Sequence, residues 1–176
     1  MMKLATTILG FLLVATSVMA QIPKNDDKQF EYHAEESVRR AGSGDLVKRL
    51  NYWANEYFSD EASLKISPDT TSDDIFYVDV TKELVESYFG VNRKHQNRSL
   101  SFHIKFLAER KDYQYWINDF KYKATEIDKK GRETLLDGQL SELKTAASKS
   151  LEEEVHLMMT NMIEAINKAA ETELEE

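Results

Sequence analysis

The fold turns on one stretch, Leu100-Ser-Phe-His-Ile-Lys-Phe-Leu-Ala-Glu-Arg-Lys-Asp-Tyr-Gln-Tyr-Trp-Ile-Asn-Asp-Phe-Lys-Tyr122. Leu100, Phe102, Ile104, Phe106 and Ala108 alternate with Ser101, His103, Lys105, Leu107 and Glu109. That period of two belongs to a strand with one buried face. Lys111-Asp112-Tyr113 reverses the chain, and Tyr115 to Tyr122 reads as a second strand, with Trp116, Phe120 and Tyr122 on one face and Tyr115 and Ile117 on the other. Strands joined by so short a turn pair antiparallel.

Working outward towards the N-terminus, Leu64-Lys65-Ile66 is a short strand ending at Pro68, and a longer strand from Phe76 runs toward Phe89. The segment from Val91 to Arg98 reads as a polar, basic connection. Before these, Gly42-Ser43-Gly44 breaks the chain, Asp45 is placed to cap, and Leu46, Leu50, Trp53, Ala54, Tyr57 and Phe58 recur at helical spacing. A stripe that wide and aromatic needs a flat partner such as a sheet. Phe30, Tyr32 and Ala34 alternate with polar residues as a first strand. In the other direction, Asp128 to Gly131 is a turn, after which Leu136, Leu140, Leu143, Ala147, Leu151, Val155, Met158, Met162, Ile166 and Ala169 predict a helix over 132–172, nearly unbroken from Leu140 to Ala170. The expectation is a single α+β domain, β-α-β-β-β-β-α, with an antiparallel sheet over 29–125 and a long C-terminal helix.

The 176 residues, 41% hydrophobic and 31% charged, suffice for one core and not two. Residues 1–20 have Lys3, an apolar run from Ile8 to Val14 and the small-residue ending Ser17-Val18-Met19-Ala20, the layout of a cleavable secretory signal. The absence of cysteine removes disulfides, thiolate metal sites, a cysteine nucleophile and a lipid-anchored leader. The expected product is a soluble periplasmic or secreted chain with no membrane span, a flexible segment at 21–28 and a frayed tail at 173–176. The net charge of −8 argues against nucleic acid as a partner. That net value conceals a basic middle, because residues 93–132 hold eleven basic and five acidic residues, whereas 133–176 hold three and eleven.

The helix carrying Leu50 and Trp53 and followed by Tyr57-Phe58, the strand from Leu100 to Phe106, and Lys111-Asp112-Tyr113 running into Tyr115 and Asp119-Phe120 resemble the domain-of-unknown-function family 4468. The resemblance covers roughly Phe30 to Lys123. It implies an exported protein of a Gram-negative bacterium with a TATA-binding-protein-like fold of order β-α-β4-α, and it brings no catalytic residue. Members commonly have Gly where Tyr113 stands, which implies a different or longer turn here.

The residues hold few catalytic signatures. His33, His95, His103 and His156 lie in four different elements and none is spaced as a ligand pair, so no metal or other cofactor is expected. Asp69, Asp73 and Asp74 lack the Gly and Glu that a calcium loop requires, with Asp74 and Val80 at those positions. No Gly-x-Ser-x-Gly elbow or phosphate loop occurs. Asn97-Arg98-Ser99 matches a glycosylation acceptor, which a bacterial origin makes idle. Two surfaces stand out. Arg93, Lys94, Arg98, Lys105, Arg110, Lys111, Lys121 and Lys123, interleaved with Tyr113, Tyr115 and Trp116, form a candidate surface for an anionic partner. The alternative is neutralisation by the acidic last helix. A helix of about 35 residues would run about 50 Å and overhang a five-stranded sheet about 24 Å wide. Its Met158, Met159, Met162, Ile163 and Ile166 would then offer a face for self-association or a partner protein. The expected function is that of an exported, non-enzymatic binding or assembly module. The alternatives are a hydrolase with a site assembled from scattered residues such as His103, Asp119 and Tyr115, or a purely structural or inhibitor-like periplasmic domain.

Overall fold

Strands β1 (Tyr32–Ser37), β2 (Ser63–Pro68), β3 (Ile75–Leu84), β4 (Ser87–Phe89), β5 (Arg93–Ala108), β6 (Asp112–Asp128) and β7 (Glu133–Gln139) form one antiparallel sheet, with helices α1 (Ser43–Tyr57) and α2 (Ser148–Glu171). The structure is a computed structural model that describes residues 22–61, 63–89, 93–143, 145 and 147–174. Residues 1–20, read above as a secretory signal, lie outside the described residues.

The β5–β6 ribbon is the spine. β1 and then β7 pair along the free edge of β6, β3 and then β4 along the free edge of β5, and β2 closes the far side against β3. Both helices lie on the same face. The Trp53 ring meets Phe106 edge-on at 6.2 Å, Phe58 meets Phe102 at 6.1 Å, and Tyr32 stacks on His156 of α2 at 5.9 Å. Phe76, Val78, Val80, Leu100, Phe102, Ile104, Phe106, Leu46, Leu50, Leu151, Val155 and Ile166 are all buried between these layers. Among the described residues, the other face of the sheet carries no helix.

Two β-bulges decide which side chains face the helices. Between the pairs Gln96–Thr125 and Ser99–Lys123, β5 places two residues opposite one; between Ser101–Lys121 and His103–Asn118, β6 does the same. Each bulge contains a residue with a left-handed backbone, Asn97 at φ 49° and Asp119 at φ 55°. Asn and Asp reach that region at less cost than other side chains. An extra residue advances the pleat by one step, so burial changes parity along each strand. Tyr113, Tyr115 and Ile117 are buried on β6 before its bulge, and Phe120, Tyr122 and Ala124 after it. The expectation that Trp116 shares a face with Phe120, opposite Tyr115 and Ile117, is therefore overturned: Trp116 is on the open face, and the other two point into the core with Phe120.

Other expectations are corrected. The strand from Phe76 toward Phe89 is interrupted at Val85 and Glu86 into β3 and β4, and Arg93 to Arg98 is strand, not connection. Residues 133–139 are the edge strand β7, so the start of the long helix was misplaced. Leu135 is exposed there, and the true helix follows the 3-10 turn Leu140–Glu142. At 24 residues α2 runs about 36 Å, and its buried series Leu151, Val155, Met159, Met162, Ile166 and Ala170 spans nearly its whole length. No apolar end overhangs. The N-terminal segment is docked and not loose: Ile22 and Phe30 are core residues, Lys24 bridges to Phe30, and the Gln29 N–H donates to the Asn25 side chain. The β5–β6 turn is Arg110-Lys111, with Lys111 at φ 75°, so strain at the position expected to trouble Tyr113 falls two residues earlier. Gly42 rather than Asp45 is the N-cap of α1, and Asp45 sits in its first turn.

Replacing Asp119 by Val should destabilise the protein by about 1–2 kcal/mol, the cost of a branched side chain in the left-handed region. Asp119→Gly should be close to neutral. Urea unfolding of both variants checks this, and equal losses would mean that the Gln139 and Lys121 contacts of Asp119, not its backbone, matter.

Candidate functional site

The cations singled out in the sequence divide into three groups. The first lies inside the protein. Arg98 is buried; its Nε donates to the Tyr122 hydroxyl at 2.9 Å, one terminal nitrogen donates to the Val85 carbonyl at 2.7 Å, and the other pairs with Glu154 of α2. Beside it, His95 is fully buried, with Nδ1 2.9 Å from the Tyr122 hydroxyl and Nε2 3.1 Å from Glu126. Tyr122 accepts from Arg98 and so donates to Nδ1, which leaves Nε2–H to donate to the carboxylate. Glu126 also accepts from Thr145 at 2.8 Å and pairs with Arg93. Burial holds the His95 pKa below its ordinary value against the pull of Glu126. Burial also pushes Glu126 upward, but Thr145, His95 and Arg93 together leave its pKa lowered. Arg98 therefore does not belong to a surface for an anionic partner, and Arg93 is committed to Glu126. Arg98 has the same parity as Leu100 and Phe102, a signal that placed it inward. His95 joins it only because of the bulge at Asn97.

The second group lies on the open face. Lys105 sits 4.9 Å over the Trp116 ring, whose neighbour across β1 is His33, stacked at 4.7 Å. Lys94 pairs with Glu86 at 2.6 Å, Lys121 with Asp119 at 3.3 Å and Lys123 with Asp137 at 3.9 Å. A polar hollow of 180 Å³ in this face contains Ser63, Asp79, Thr81, Ser101, His103, Asp119 and Lys121. His103 Nδ1 is 2.7 Å from Asp79, and the Thr81 and Ser101 hydroxyls bond each other at 2.9 Å. His103 and Asp119 thus converge, while Tyr115 is on the opposite face. Among the described residues no hydroxyl is hydrogen-bonded to the His103 ring, and no group of three His, Asp or Glu residues is arranged to hold a metal ion.

The third group is at the end of the molecule. The Arg110-Lys111 turn docks on the loop between β1 and α1: the Val38 N–H donates to the Lys111 carbonyl at 2.6 Å and the Lys111 N–H to the Ala41 carbonyl at 3.1 Å. The docking places Lys111 beside Arg39 and Arg40, which share with it a hollow of 510 Å³. Arg40, like Lys111, has a left-handed backbone, φ 60°. Among the described residues, Arg39, Arg40, Arg110 and Lys111 make no ion pair. Asp112 lines this hollow too, and its carboxylate accepts from the Ser37 hydroxyl at 2.8 Å. Sequence reading missed Arg39 and Arg40 because their proximity to the turn depends on loop docking.

The Met-rich helix face packs into the core. Met159, Met162 and Ile166 are buried, Met158 and Ile163 are half-buried against the core, and the expected self-association face is core.

The sheet order with both helices on one face decides the fold. The chain has the TATA-binding-protein-like fold. It matches a TBP-like protein from Parabacteroides distasonis with a TM-score of 0.64 at 12% identity, over 87% of this chain and 99% of that one. It also matches a DUF4468 family protein from Bacteroides ovatus with a TM-score of 0.60 at 9% identity, over 86% and 91% of the two chains. No family model matches the sequence, and no curated protein does. No helix among the described residues is long and apolar enough to cross a membrane.

The lowered pKa of His95 makes stability depend on pH. As pH falls through 6.5 the unfolded chain takes up a proton that the folded His95 refuses, so stability falls until the lower folded pKa is reached. Stability measured by urea unfolding between pH 7.5 and 5 should decline more in the wild type than in His95→Gln; parallel pH profiles would show that His95 is not the responsible group.

Proposed function

We propose that the protein is an exported, non-enzymatic binding module that takes an anionic ligand at the end formed by Arg39, Arg40, Arg110 and Lys111. The observation carrying this reading is the contrast in pairing. The cations along β5 and β6 have carboxylate or aromatic partners within the chain, and the four at the loop end do not, although two loops have been tied together to assemble them. Unpaired charges held close on strained backbone raise the potential at one place, and an anion relieves that repulsion. The leader with Lys3, its apolar run and the Ala20 ending supports export, and likeness in fold to the DUF4468 protein agrees with the sequence resemblance.

A second reading is favoured by the His103–Asp79 pair in the open-face hollow, where Ser101 and Thr81 are close. Hydrolysis there would require a hydroxyl to turn toward the imidazole. A loss of ester hydrolysis in His103→Ala would support that reading over the first.

Titration calorimetry with inorganic pyrophosphate tests the anion site. Binding should weaken as salt rises from 25 to 200 mM, following a Debye length of roughly 20 Å falling to roughly 7 Å, and the pair Arg39→Glu with Lys111→Glu should reduce affinity at least about tenfold, the order of two opposed charges near a surface. An unchanged isotherm in that variant, or no binding by the wild type, overturns the assignment.

A further inference from the structure

The cationic end opens into a groove between the two helices. α1 presents Tyr52, Trp53 and Tyr57 along one wall, and α2 presents Ala165 and Ala169 along the other, with Leu174 at the end. The small side chains, one helical turn apart, cannot fill the space against three aromatics, and a groove of 440 Å³ remains. That is within the size range of small-molecule sites. Tyr52 is 56% exposed and Tyr57 40%, an unusual share of aromatic surface to leave in water. Trp53 is buried and its indole N–H has no acceptor among the described residues. An unpaired buried donor is a standing cost that the groove wall retains.

The groove adjoins the charged end through shared lining residues. It shares Arg49 and Leu174 with a polar hollow of 390 Å³, and that hollow shares Arg40 with the 510 Å³ hollow of the loop end. Arg40, Lys48 and Arg49 line the joining hollow together with Asp45 and Glu173, and Lys168 lies at the groove opposite Glu56. Arg49 also donates to the Ala170 carbonyl at 2.8 Å, which fixes its guanidinium at the junction. Among the described residues Arg40 and Lys48 make no ion pair. An apolar trough leading into unpaired cations has the layout of an amphiphile with an anionic head.

We propose that this trough binds a single acyl chain whose anionic head group lies at Arg40 and Lys48. The proposal rests on the reading of the loop end as an anion site, and it adds the apolar half of the ligand. The ligand class is therefore a single-chain carboxylate or phosphate. A second copy of the chain or an amphipathic peptide is a competing occupant of the same groove.

The test uses the intrinsic fluorescence of Trp53 in the Trp116→Phe background, because Trp116 is on the opposite face of the sheet. Brominated decanoate should quench Trp53 saturably. Decanoate and decyl phosphate should compete for that signal, with the tighter of the two identifying a carboxylate or a phosphate head. Affinity should rise roughly two- to fourfold per methylene from octanoate to decanoate. Arg40→Glu with Lys48→Glu should weaken decanoate at least about fivefold, Ala169→Phe should abolish quenching by filling the groove, and Tyr52→Ala should weaken it should Ala169→Phe fail to fold. Equal binding of decyltrimethylammonium, or no dependence on chain length, overturns the proposal. So does light scattering that shows a dimer whose formation protects Trp53 from the brominated probe. Pyrophosphate binding without decanoate binding overturns it while leaving the anion site standing. Decanoate binding that ignores both charge reversals, at the loop end and at Arg40 and Lys48, defeats the anion site and the head-group assignment together.

Discussion

Everything in this protein is arranged around a β5–β6 ribbon that must keep one face apolar for sixteen or seventeen residues while its sequence twice falls out of step. The left-handed residues Asn97 and Asp119 absorb the extra step in each strand. They compensate one another, since the first adds a residue to β5 and the second to β6, and the pairing returns to its original register at the hairpin. Without the second bulge Tyr113, Tyr115 and Ile117 would emerge on the open face, and the hydroxyl of Tyr113, which donates to Asn167 at 2.6 Å, could not hold the end of α2. Without the first, His95 would leave the polar network under α2. The position of the second helix thus depends on two exposed residues in the bulges of the strands beneath it.

The ribbon also separates two kinds of electrostatics. Arg98 and the Arg110-Lys111 turn are about twelve residues apart on β5, roughly 40 Å at a strand's rise. At the first end the buried Arg98, His95, Tyr122 and Glu126 satisfy one another, with half-buried Glu154 and Thr145 completing the network at its edge. A buried charge is tolerated only when each partner is present, so this end is fixed. At the other end the cations are exposed and unpaired. α2 spans the distance, pairing with Arg98 through Glu154 near its start and giving the Ala170 carbonyl to Arg49 near its end, where the helix dipole favours a cation.

How much of this was legible in the sequence follows from which interactions are local. The strand Leu100 to Ala108, the helix through Leu46, Leu50 and Trp53, and the hairpin all follow from alternation and spacing within a few residues. β7 did not, because Leu135 and Leu136 fit a helical stripe as readily as an edge strand, and only the pairing with β6 decides between them. The sidedness of Trp116 failed because a bulge is invisible to any fixed period. The basic middle divides in space: Arg98 pairs with Glu154 of the last helix, the neutralisation that was the alternative reading, Arg93 pairs with Glu126, and Arg39 and Arg40, seventy residues earlier, lie beside Lys111 at the loop end. Net charge per segment says where cations are in the chain, and pairing in space determines which of them remain to meet a ligand.

That distinction also bears on what the open face can do. His33, Trp116 and Lys105 stand in one cross-strand row, and the Trp116 ring is engaged by a histidine from one neighbouring strand and an ammonium from the other. A ring so engaged has no bare face for a ligand to stack on. Likewise His103 is stacked on Tyr77 and bonded to Asp79, and the Thr81 and Ser101 hydroxyls satisfy each other. The polar groups of this sheet face are therefore largely engaged with one another. The loop end and the adjoining helix groove differ on both counts: among the described residues Arg39, Arg40, Arg110 and Lys111 make no ion pair, and the aromatics of α1 face the small side chains of Ala165 and Ala169, with Lys168, Thr172 and Leu174 beside them. Unsatisfied charge beside unsatisfied apolar surface is the condition under which a ligand gains on both terms at once, and in this fold the two meet where the β1–α1 loop, the β5–β6 turn and the end of α2 converge.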